Sequence, residues 1–229
     1  VVLGDVDGDG HLDLVAGNYN GQPNKLYLND GSGGFPGINT PGTAIGSETG
    51  YSTRSVVLGD VDGDGYLDLV TGNSGYNGGP QPNKLYLNDG SGGFPGINTP
   101  GTIIGSETGY NTMSVVLGDV DGDGHLDLVA GNSGRNKLYL NDESGGFAGT
   151  GTAIGSETDS SWSVVLGDVD GDGDLDLVTG NSGYNGGPQP NKLYLNDGSG
   201  GFPGINTPGT IIGSETGYNT MSVVLGDVD

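Results

Sequence analysis

Carboxylates dominate the residues of this chain that could do chemistry, and they recur at one fixed spacing. Asp5-Val6-Asp7-Gly8-Asp9-Gly10-His11-Leu12-Asp13 sets acids at the first, third, fifth and ninth places of a nine-residue loop. The loop returns with Asp60, Asp62, Asp64 and Asp68, with Asp119, Asp121, Asp123 and Asp127, and with Asp168, Asp170, Asp172 and Asp176. Alternate acids in a tight turn converge on one point, and the glycine at the sixth place allows the bend that brings them together. Hard oxygen donors, with no Cys in the chain, select Ca²⁺ over zinc or copper. Mg²⁺ is disfavoured, because it keeps several waters and demands a strict octahedron that a flexible loop does not impose. Like charges ~4 Å apart repel by about 1 kcal/mol in water and about 4 kcal/mol at an effective dielectric of about 20. A metal-free loop carries several such penalties, and a bound cation reverses them.

The loop starts as an EF-hand does and finishes differently. An EF-hand needs a bidentate Glu at its twelfth place, where this chain has Ala16, Thr71, Ala130 and Thr179. Asp13, Asp68, Asp127 and Asp176 must therefore close the shell, with the backbone carbonyl of His11, Tyr66, His125 or Asp174 as a further ligand. The expectation is about one Ca²⁺ per complete loop.

These loops punctuate a repeat. The phrase Val-Val-Leu-Gly-Asp-Val-Asp begins at residues 1, 56, 115, 164 and 223 of the 229. The expected units are 1–55, 56–114, 115–163 and 164–222, with 223–229 as the truncated start of a fifth, all in one domain. Residues 56–114 and 164–222 differ only at Tyr66 and Asp174. In the second unit four strands are expected, at 55–61, 67–71, 83–87 and 102–108. Leu85 and Leu87 alternate with Lys84 and Tyr86 in the third strand, whereas the first two strands are continuous apolar runs suited to sheets covered on both faces. Four short strands per unit, each unit packed between neighbours, predict an all-β β-propeller with four-stranded blades, part of a larger ring or array.

The segment from Ser55 through Asp60-Val61-Asp62-Gly63-Asp64-Gly65-Tyr66-Leu67-Asp68 to Asn73, continued by Asn-Lys-Leu-Tyr-Leu-Asn-Asp-Gly-Ser-Gly-Gly-Phe, resembles the FG-GAP/VCBS repeat. That family includes integrin α-subunit propellers, fungal propeller lectins and secreted bacterial proteins. The resemblance covers essentially the whole chain and implies a propeller with calcium in the turn between the first two strands of each repeat. Where integrin repeats carry Gly-Ala-Pro after the second strand, this chain has Gly72-Asn73, which favours the bacterial VCBS branch.

Composition narrows the function. With 51 Gly and 11 Pro the chain is not mainly helical. A formal charge of −23, with only six Lys and Arg, leaves no basic stripe to meet phosphates, so nucleic acid is not an expected partner. No apolar run approaches the ~20 residues that span a bilayer, so no membrane insertion is expected. The absence of Cys leaves the redox compartment open.

Residues that break the repeat are the candidates for a ligand surface. Arg54, Met113, Trp162 and Met221 share one place just before the first strand, and Trp162 is the only Trp. Tyr76 and Tyr184 lie in the Gly/Pro-rich loop after the second strand. Trp162, Arg54, Tyr76 and Tyr184 are the expected ligand contacts, against the alternative that they fill gaps between blades or decorate loops. The four lysines, Lys25, Lys84, Lys137 and Lys192, share one third-strand place and are expected to be solvated or paired with acids. No nucleophile and base recur together, and the unit-specific ionisable groups occupy different places, so catalysis is not expected. The leading reading is an extracellular or cell-surface binding module, lectin-like or adhesive, for a glycan or protein. A purely structural repeat of a large surface protein comes second, and a polysaccharide-degrading enzyme third. Open blade ends predict self-association into a larger ring.

Overall fold

The computed structural model describes the chain except residues 33, 36–40, 49, 76–78, 80, 97–98, 107–110, 144, 148, 184–186, 188, 199, 205, 215–218 and 228–229. Its described residues form sixteen strands and no helix. The first sheet comprises β1 (Val2–Gly4), β2 (Asp13–Ala16), β3 (Asn24–Tyr27) and β4 (Thr43–Ile45). The second comprises β5 (Tyr51–Gly59), β6 (Asp68–Gly75), β7 (Lys84–Tyr86) and β8 (Thr102–Ile103). The third comprises β9 (Thr112–Gly118), β10 (Asp127–Asn132), β11 (Asn136–Tyr139) and β12 (Thr152–Ile154). The fourth comprises β13 (Ser161–Gly167), β14 (Asp176–Asn181), β15 (Lys192–Tyr194) and β16 (Thr210–Ile211). Within each sheet the strands pair antiparallel in chain order, as in a propeller blade.

The core lies between sheets. Val6, Val15, Leu26 and Ile45 of the first unit meet Leu69, Tyr86 and Phe94 of the second. Equivalent clusters join the second unit to the third, around Val61, Val70, Leu128 and Tyr139, and the third to the fourth, around Val120, Val129, Leu177 and Tyr194. Each middle sheet is therefore covered on both faces, which is why its second strand is a continuous apolar run. Neighbouring first strands come so close that only glycine fits: a Cβ on Gly59 would lie 2.8 Å from both Leu117 and Leu126, and one on Gly118 would lie 2.8 Å from Leu166. A seryl hydroxyl fixes the spacing, since Val115 and Val164 donate their amides to Ser55 and Ser114 Oγ of the preceding sheet at 3.1 and 3.2 Å. Residues near 223 follow the same pattern against β13, with Val223 N 3.1 Å from Ser163 Oγ.

Three expectations need correction. The first strand of the second sheet starts at Tyr51 rather than at 55, and it ends at Gly59, where the acid loop begins, rather than at 61. A bulge between Thr53 and Ser55 takes up the polar start of that strand. The fourth strand is only Thr102–Ile103; residues 107 and 108 of its expected span lie outside the described residues. Of the lysines expected to be solvated or paired with acids, Lys84, Lys137 and Lys192 are not solvated: they are 5–7% exposed, and each Nζ donates to a glycine carbonyl, for example that of Gly101 at 2.8 Å. The other half of the expectation, pairing with acids, holds among the described residues for Lys84, which Glu48 of the first unit reaches at 3.4 Å, and for Lys192, which Glu157 of the third reaches at 3.0 Å.

Candidate calcium loops

Each acid loop joins the first strand of its sheet to the second, and its ninth residue opens the second strand. The glycine at the sixth place turns the backbone, with φ between 87° and 98° at Gly10, Gly65, Gly124 and Gly173. That turn brings three carboxylates together. One oxygen each from Asp5, Asp7 and Asp13 lie within 4.8 Å of one another, and the same holds for Asp60, Asp62 and Asp68, for Asp119, Asp121 and Asp127, and for Asp168, Asp170 and Asp176. The acids at the fifth place stand apart from these groups. Asp9, Asp64, Asp123 and Asp172 instead accept the amide of the seventh residue, at 2.8 to 3.0 Å. Side chains at the seventh place point away from the acids; His11 lies against Gly31, Tyr66 against Gly90 and Asp174 against Gly198.

The closing aspartate is the anchor. Asp13, Asp68, Asp127 and Asp176 are fully buried. In each, Oδ2 accepts the amide of the loop's second residue, as from Val61 to Asp68 at 2.8 Å. Oδ1 accepts the amide of an asparagine that follows the third strand, as from Asn88 to Asp68 at 2.9 Å. Burial pushes the Asp68 carboxyl up to about 6, against the pull of those two amides, and raises Asp127 in the same way. Asp7, Asp62, Asp121 and Asp170 are also raised, by desolvation first and by neighbouring carboxylates after it.

The loops pass a direct test of fit for a cation. At the first place one carboxylate oxygen accepts the sixth-place amide, at 2.9 to 3.0 Å in the first three loops. The other oxygen of Asp5, Asp60 and Asp119 is buried with no hydrogen-bond partner. A buried anionic oxygen without a partner is costly, and here it faces two more carboxylates. A hard divalent ion answers both the lone oxygen and the mutual repulsion. Asp5, Asp7 and Asp13, with their counterparts in the other loops, are the residues that would hold it.

Of the candidate ligand residues, Arg54 and Trp162 sit at the opposite end of the sheets, where the first strands begin. Arg54 is the bulged residue of β5; its guanidinium lies 4.6 Å from the centre of the Tyr19 ring, and its Nε donates to Ser74 Oγ at 3.1 Å. Trp162 is half-buried at the equivalent bulge of β13, two sheets away. Tyr76 and Tyr184 lie outside the described residues. Sequence reasoning missed the asparagines Asn29, Asn88, Asn141 and Asn196 and the inter-sheet glutamates. Their signals were constant Leu-Asn-Asp and Ser-Glu-Thr steps in every unit.

The matches to known proteins agree with this architecture. The human and mouse forms of cartilage acidic protein 1 are each 34% identical to the chain over 134 residues, or 56% of it, and the chain spans only 19–20% of their length. A lectin of Agrocybe aegerita, solved for its recognition of non-reducing terminal N-acetylglucosamine, superimposes with a TM-score of 0.56 at 21% identity, over 88% of this chain and 50% of that one. That likeness is one of fold. A model of the FG-GAP-like repeat matches residues 5–71, 72–130 and 119–179, and the chain belongs to that repeat family.

Proposed function

We propose that the chain is a calcium-stabilised, non-catalytic binding module, lectin-like or adhesive, that works outside the cell or at its surface and contacts a glycan or a protein. The observation that carries the calcium part is the buried, unpartnered Oδ1 of Asp5, Asp60 and Asp119, each facing two further carboxylates. Calcium stiffens the turn between the first two strands of each blade and leaves the far ends of the sheets free to differ. Arg54 and Trp162, the bulged residues at those far ends, are the ligand contacts this reading selects, with Tyr76 and Tyr184 of the Gly/Pro-rich segments. The family and the fold shared with a lectin support binding as the general role. The Gly72-Asn73 step supports the bacterial branch of the family. Among the described residues no helix is long and apolar enough to cross a membrane.

A scaffold role is the second reading. The near-identity of residues 56–114 and 164–222 favours it, since a site under selection for one ligand would diverge from its copies. A glycan array probed in calcium and again after chelation tests the proposal. Calcium-dependent binding that Arg54→Ala or Trp162→Ala abolishes supports a binding module. No glycan bound in either condition, with chelation still unfolding the protein, leaves the scaffold.

A further inference from the structure

The four acid loops are joined by a continuous run of hydrogen bonds that crosses every sheet boundary. Asp13 Oδ2 accepts the Val6 amide at 2.9 Å, and the carbonyl of the same Val6 accepts Nδ2 of Asn88, from the second unit, at 2.8 Å. The Asn88 backbone amide then donates to Asp68 Oδ1 at 2.9 Å. Asp68 Oδ2 holds the Val61 amide, and the Val61 carbonyl accepts Asn141 Nδ2 at 2.9 Å. Asn141 N donates to Asp127 Oδ1 at 2.8 Å, Asp127 Oδ2 holds the Val120 amide, and the Val120 carbonyl accepts Asn196 Nδ2 at 2.7 Å. Asn196 N donates to Asp176 at 2.9 Å. All these groups are deeply buried: the closing aspartates are 0% exposed, Val6, Val61 and Val120 are 1–2%, and the three asparagines are 1–8%.

A second observation concerns the first-place oxygens of the loops that receive an asparagine. The first three loops receive one, and in them the first-place Oδ1 is buried and unpaired. No such bond to Val169 in the fourth loop is found among the described residues; Val169 is 46% exposed, and Asp168 Oδ1 turns to the Gly171 amide at 2.7 Å.

We infer that Asn88, Asn141 and Asn196 couple neighbouring loops, so that calcium binding along the array is positively cooperative. The inference rests on the calcium reading above. Filling one loop fixes its closing aspartate and its second peptide unit; that peptide's carbonyl holds the next unit's asparagine, whose amide in turn holds the next closing aspartate. Ordering one loop thus removes part of the ordering cost of its neighbour, and coupling of this kind is reciprocal. The asparagines are positioning residues and touch no ion.

The test is a double-mutant cycle on loops two and three, with calcium titrated and the amides of Gly65 and Gly124 followed separately by NMR. Weakening loop three by Asp121→Asn should also weaken half-saturation of loop two, by about fivefold or more. In an Asn141→Ala background, or in Asn141→Asp should Ala fail to fold, the same change should leave loop two unmoved. The wild-type protein supplies a control that needs no change at Asn141: weakening loop three should move loop one less than loop two. Loop two indifferent to Asp121→Asn, or still responsive without the Asn141 amide, overturns the coupling while leaving calcium binding intact. Binding of no calcium by either loop overturns the underlying reading and the coupling with it.

Discussion

The first three acid loops and the fourth carry the same Asp-Val-Asp-Gly-Asp-Gly-X-Leu-Asp sequence and have different surroundings. In the first three the second-place valine is 1–2% exposed and a first-place oxygen waits unpaired; in the fourth, Val169 is 46% exposed and Asp168 has satisfied itself on its own backbone. Local sequence makes the turn. In the first three loops an asparagine of the next sheet, some eighty residues further along, caps the loop's carbonyl. In a stacked array the unit of function is thus the boundary between repeats as much as the repeat itself.

Removal of calcium should have the largest effect. An ion held only by the folded state adds about 2.7 kcal/mol per site at a hundredfold excess over Kd. Chelation should therefore lower the calorimetric melting temperature strongly, and variants that disable one of the first three loops should lose more of the calcium-induced gain than Asp170→Asn does. Equal losses at all four would dissolve the contrast.

Next in size is removal of a closing aspartate. Asp68→Ala strands the Val61 and Asn88 amides in the interior, and leaving buried donors unpaired costs about 1–3 kcal/mol for each. Asp176→Ala should cost less in urea denaturation, because the Val169 amide it leaves behind belongs to a residue 46% exposed and can turn to water.

The pH response should invert with metal. In the calcium-free protein the folded Asp68 carboxyl is raised to about 6 from an ordinary 3.8, and Asp127 is raised as well. A folded value above the unfolded one means that the folded state takes up protons, so the stability contribution is full below the ordinary value and is lost as pH rises through about 6. Melting curves of the calcium-free protein should shift upward from pH ~7 to pH ~5 as these carboxylates gain protons. In excess calcium they should shift downward, because protons compete with the ion. A downward shift in both conditions would contradict the burial of these acids.

The smallest expected effect concerns the inter-sheet glycines. Gly118→Ala must push aside Leu166 and Leu175, an overpacking that costs about 1–3 kcal/mol. Gly167→Ala meets, among the described residues, Leu225 alone and should cost less in the same denaturation assay.

What the sequence makes legible is what depends on short spacing. The acids at the first, third and ninth places, the glycine bend and the four-strand rhythm all follow from a few adjacent residues. The fifth-place acids, grouped with the ligands by spacing, stand outside the three-carboxylate groups and accept the amide of the seventh residue, a contact that composition does not reveal. Lys84 reads as a surface residue in an alternating strand. It is buried because Glu48, from the sheet before, and the Gly101 carbonyl together satisfy its charge. The asparagine bridges were hidden for the same reason: each joins residues in different units, where neither periodicity nor local motif makes the pairing visible.

The measurement that bears most directly on the account is a crystal structure of the protein grown in calcium, with the ions placed by anomalous scattering. An ion is expected in each acid loop, held by Asp5, Asp60 and Asp119 through the oxygens that have no hydrogen-bond partner and, in the fourth loop, by the Asp168 group. Water or a backbone amide at those oxygens, with no ion in the loops, would contradict it.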